Sequence, residues 1–131
     1  MRAALTAITL LALVACSSGG GSAQSLCQAV GRLDDVSSAF AGFDPTDRDA
    51  ALDQLRPARV TLGDLLAEAP AEVRDDLQVE IDYVQALIDS LAAAAPGDPA
   101  DAAERVRSVT EAHPKVADAA AALSAFTTRE C

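Results

Sequence analysis

AEVRDDLQVEIDYVQALIDSLAAA, residues 71–94, places Val73, Leu77, Ile81, Val84, Ile88 and Leu91 at intervals of three and four. At about 3.6 residues per turn such positions fall on one stripe, so the stretch predicts an amphipathic helix that buries this stripe against other elements. Pro96 and Gly97 end it. The same periodicity extends outward in both directions, and no window shows the alternation of a strand.

Toward the N-terminus, Ala69 and Pro70 form a corner. The helix predicted before it buries Leu52, Leu55, Leu62 and Leu65, with Ala69 at its end. Asp44-Pro45-Thr46-Asp47 opens that helix with an N-cap acid, a proline at the first helical position and an acid facing the helix dipole. Pro57 lies inside the pattern and lacks a backbone donor, which predicts a kink or break near Arg56. Earlier still, Ser25 reads as a cap, with Gln28 reaching back, for a first helix that buries Leu26, Val30, Leu33, Val36 and Phe40 and stops at Gly42 to Asp44. On the other side, Asp98-Pro99-Ala100-Asp101 repeats the acid and proline opening. It begins a fourth helix with Val106, Val109, Val116, Leu123 and Phe126, broken by Pro114. Four helical stretches with short corners predict an all-α fold, a four-helix up-and-down bundle with proline-broken helices. Its core is rich in alanine, and its aromatic residues are limited to Phe40, Phe43, Tyr83 and Phe126, so helices approach closely and each residue buries little area.

Ahead of the helical region, Arg2 is followed by an uncharged run from Ala3 to Ala15 containing Leu5, Ile8, Leu10, Leu11, Leu13 and Val14. The run is too short for a permanent membrane span and fits the core of a signal peptide. Leu13-Val14-Ala15-Cys16 closes it, and Ser17-Ser18-Gly19-Gly20-Gly21-Ser22-Ala23-Gln24 follows as a polar, glycine-rich stretch read as a flexible tether. Three segments result: a signal peptide at 1–15, Cys16 and the tether at 16–24, where the resemblance of Leu13-Val14-Ala15-Cys16 to a bacterial lipoprotein signal implies a lipid anchor on the cysteine, and a helical domain at 25–131. The alternatives are an ordinary secretory signal cut elsewhere and an N-terminal helix belonging to the fold.

With Cys16 assigned to the anchor, Cys27 and Cys131 remain, and an even pair in an oxidising compartment is expected to join. The bridge would enclose 103 intervening residues (131 − 27 − 1). The alternative is two unpaired thiols. The bundle is read as leaving the start of its first helix and the end of its fourth at opposite ends. Bringing the cysteine α-carbons within about 7 Å then requires either a turn-back at Pro114 or a short, displaced first helix.

The formal charge of -10 disfavours phosphate backbones and anionic lipid surfaces, so nucleic acid is not an expected partner and membrane contact is left to the anchor. His113, the single histidine, precedes Pro114 at a predicted helix end and reads as a helix-terminal cation rather than as part of a catalytic triad. Glu72, Asp76 and Glu80 recur at four-residue spacing; they are candidate ligands for a divalent cation, set against the simpler reading of a solvated acidic face. Asp44, Asp47, Asp49 and Asp53 suggest calcium but lack the glycine and glutamate of an EF-hand loop. No phosphate-binding loop, nucleotide fingerprint or CxxC pair occurs. No cofactor and no enzymatic activity are expected.

Ala15-Cys16, the glycine-serine stretch, Ser25-Leu26-Cys27, an Ala-, Leu- and Asp-rich body and Cys131 together resemble the small lipoproteins of actinobacteria. The resemblance implies a diacylglyceryl group on Cys16, cleavage before it and residence on the extracytoplasmic face of the cell membrane. It transfers no catalytic residue. The expected function is an interaction or binding module of the cell envelope with a protein partner; the alternative is an extracytoplasmic binder of a small solute or metal ion.

Overall fold

The structure, a computed structural model, describes residues 21–29, Arg32 and residues 42–131. Among them the chain is all-helical, with five helices and no strand: α1 (Ala23–Ala29), α2 (Arg48–Glu68), α3 (Ala71–Ala92), α4 (Pro99–Ala112) and α5 (Val116–Glu130). The signal segment, Cys16, and Val30, Leu33, Val36 and Phe40 lie outside the described residues.

The helix predicted at 71–94 is α3, and it is the central element. It packs along α2 on one side and along α4 and α5 on the other, while α1 rests on α2 and α5. Val73, Leu77, Ile81, Val84, Leu87 and Leu91 form its buried stripe. Leu87 takes the place expected for Ile88, which is only partly buried. Helices that pack on α3 from more than one side widen the stripe beyond a single line of residues. Leu52, Leu55, Leu62 and Leu65 of α2, Leu26 of α1, Ala102 of α4 and Leu123 and Phe126 of α5 are buried with it, and no polar or charged residue is buried among the described residues.

α2 and α3 are joined at Ala69 and Pro70 and run antiparallel. Two arginines lock the pair. Arg48, at the start of α2, donates from Nε to the Leu91 carbonyl (2.9 Å) and from its terminal nitrogen to that of Ala92 (3.2 Å). Arg74, near the start of α3, donates to the carbonyls of Leu66 (3.1 Å) and Ala69 (3.4 Å). Each helix thus supplies a cation to the open carbonyls at the end of the other, where the helix dipole is negative.

Two expectations are corrected and one is met. α2 is not interrupted at Pro57. The proline is exposed between the buried Leu55 and Ala58, so its ring and the carbonyl it leaves without a partner face water, while packing holds the helix on both sides. The break expected at Pro114 is present: the fourth helical stretch is two helices, α4 and α5, parted at His113-Pro114-Lys115. The chain ends, finally, are not at opposite ends. Gly21 lies against Glu68 and Ala69, at the finish of α2. Arg129, at the finish of α5, reaches Glu72 at the start of α3. Both segments therefore arrive at the Ala69–Pro70 corner, because each packs antiparallel to one of the two helices that meet there, and no special device is needed.

Candidate functional site

Cys27 and Cys131 are joined, with α-carbons 5.5 Å apart. The bond ties α1 to the residue that follows α5. α1 begins at Ala23, two residues before the expected Ser25, because Ser22 is the capping residue: its hydroxyl accepts from the Ser25 amide at 3.1 Å. Ala23 and Gln24 therefore belong to the helix rather than to the tether. Gly21 is also not free coil, since a Cβ on it would fall 1.8 Å from the Glu68 carbonyl oxygen.

The three acids of α3 have separate fates. Glu72 is drawn into an ion pair with Arg129, which also holds Glu130 and lies over the Phe126 ring at 5.4 Å. Asp76 is half-buried one turn on. Glu80 is half-buried with its Oε1 enclosed and without a hydrogen-bond partner, and burial pushes its pKa up to about 7. Among the described residues no three side chains of metal-binding type gather. The arginine of another helix takes the first, and lack of solvation favours the neutral form of the third.

Beside Glu80, the α4–α5 break rests on α3. Tyr83 shares a hydrogen bond with the Thr110 hydroxyl at 3.0 Å, and its ring lies 5.7 Å from that of His113. His113 caps α4, with Nδ1 donating to the Val109 carbonyl at 2.7 Å. The ring nitrogen thus occupies a helix terminus, and Pro114 prevents α4 from continuing.

At the opposite end from the corner, the openings of α2 and α4 converge; α4 starts at Pro99 behind the Asp98 cap as expected, whereas α2 is capped by Asp47 and starts at Arg48 rather than at Pro45, because the Asp44 carboxylate is turned onto Thr46 in the turn before the helix. Asp44, Thr46, Asp47, Arg48 and Asp49 face Gly97, Asp98 and Pro99 across a cleft of about 400 Å³. Sequence reasoning treated these two caps as separate local features; the antiparallel pairing of α2 and α3 brings them together. Their carboxylates are already engaged. Asp44 accepts from the Thr46 amide (2.9 Å) and hydroxyl (2.6 Å), which hold its pKa below the usual carboxylate range. Asp47 accepts from the Ala50 amide and Asp98 from that of Asp101, both at 3.0 Å, while Asp49 pairs with Arg48. Asp53 does not line the cleft. Asp101 closes the α3–α4 turn by accepting from the Ala95 amide (2.9 Å) and from Arg105 (3.0 Å), and the first of these contacts is the main cause of its lowered pKa.

Comparison with family models, curated proteins and solved structures finds no match to this chain in any of the three.

Proposed function

We propose that the chain is a lipid-anchored protein of the extracytoplasmic face of the cell membrane, and that its helical domain is an interaction module of the envelope. The observation that carries this reading is the Cys27–Cys131 bond, which suits an oxidising compartment and leaves Cys16, at the end of the signal-like run, as the single cysteine for lipid. Among the described residues no helix is long and apolar enough to cross a membrane. If α4 and α5 are taken as two halves of one stroke, the domain is a four-helix up-and-down bundle. The engagement of the carboxylates by caps and arginines supports an interaction module over a metal-ion binder.

Intact mass measurement of the protein extracted from its own cells without reductant tests the anchor. The expected species is residues 16–131 plus a diacylglyceryl lipid, less two hydrogens. An unlipidated chain starting elsewhere would overturn it. Crosslinking in intact cells tests the module: a recurrent envelope protein is expected. A small solute or cation that raises the melting temperature in the absence of any protein partner would favour the alternative instead.

A further inference from the structure

We infer that the domain stands end-on over its membrane, the Ala69–Pro70 corner toward the lipid and the aspartate-lined cleft outward; this rests on the lipid-anchor reading above. Gly21 is the decisive contact. A Cβ there would fall 1.8 Å from the Glu68 oxygen, 2.0 Å from its carbonyl carbon and 2.7 Å from the Ala69 nitrogen, so the backbone at residue 21 lies directly on the last turn of α2. The chain is therefore pinned five residues after Cys16 (21 − 16), and five peptide steps reach at most roughly 18 Å. Cys27–Cys131 and Arg129–Glu72 fasten α1 and α5 at the same end.

The domain is longer than this reach, since the 22 residues of α3 rise about 33 Å. Its far end carries Asp44, Asp47, Asp49 and Asp98, and Arg48 there is turned onto the carbonyls of α3. An anionic leaflet repels such an end rather than drawing it down. A protein approaching from outside the cell therefore meets the starts of α2 and α4 first, and the corner is sheltered by the membrane.

The test uses full-length lipidated protein in vesicles of phosphatidylcholine and phosphatidylglycerol that carry a headgroup-labelled acceptor. A donor fluorophore is placed by non-cysteine chemistry at Ala67 in one sample and at Ala100 in another, both exposed positions. Energy transfer is expected to be several-fold greater from position 67. Equal transfer, or more from position 100, would overturn the orientation. Gly21→Ala lifts the pinned residue while the disulfide keeps α1 attached, so the difference between the two positions is expected to shrink; an unchanged difference would show that Gly21 does not set it. Intact mass on the same vesicles separates the two readings. Absence of lipid on Cys16 defeats the anchor and the orientation with it, whereas lipid with no positional difference defeats the orientation alone.

Discussion

Gly21 and Gly97 are constrained in opposite ways. Gly97 adopts φ 74° with open space around its Cβ position, and Gly21 lacks space altogether. Gly97→Ala is therefore expected to cost about 1 kcal/mol through backbone handedness alone, read as a small shift in the urea midpoint. Gly21→Ala forces backbone apart and is expected to cost about 1 to 3 kcal/mol, with loss of amide-exchange protection concentrated in α1. Glu80 poses a different residue-scale question. Its pKa is raised from 4.5 to about 7, so between those values the unfolded chain gives up a proton that the folded chain retains. Stability contributed by the neutral form is complete below about pH 4.5 and falls as pH rises to about 7. Glu80→Gln should thus stabilise the protein at pH 7.5 by about 1 kcal/mol after allowance for its partial exposure. That gain should vanish in melting curves as pH approaches 4.5. A gain independent of pH would point to packing instead.

Among the elements, α3 was the most legible in sequence, because Val73, Leu77, Ile81, Val84 and Leu91 repeat with no competing signal. Prolines were harder to read. The same residue type leaves α2 whole at Pro57 and ends a helix at Pro114. The difference lies in tertiary support: α2 has buried residues on both sides of its proline, whereas at Pro114 the chain also has His113 capping α4 from within. Pro57→Ala restores a donor to an exposed helical turn and is expected to raise stability by about 1 to 3 kcal/mol in chemical denaturation. The arginine locks had no sequence signature, since an arginine near a helix start reads as unfavourable to its own dipole. Their purpose emerges once the neighbouring helix is antiparallel. Arg74→Met should cost about 1 kcal/mol by freeing the carbonyls of Leu66 and Ala69, and exchange should quicken at the end of α2 before elsewhere.

For the molecule as a whole, the pairing of Cys27 with Cys131 was legible from cysteine count, but the meeting of the chain ends was not. The two end segments each pack antiparallel to one of the helices that meet at the Ala69–Pro70 corner, and the prolines drew attention to turn-backs that the fold does not need. Reduction of the bond releases a loop of 103 residues, which in the chain-entropy model lowers stability by up to about 4 to 5 kcal/mol. Melting with and without reductant should show a large downward shift, reproduced by Cys27→Ser. The aspartate cleft escaped the sequence because its two halves lie on either side of the α2–α3 hairpin, some fifty residues apart (98 − 47 = 51). The division of labour around α3 also shapes how the protein tolerates mutation. α2 and α4 each lean on α3 far more than on one another, so paired substitutions in their cores should combine additively, while a change at Val84 or Leu87 alters what is acceptable on several helices at once. Among the described residues, coupling between distant substitutions is therefore expected to run chiefly through residues 71–92, the helix that three others lean on or meet.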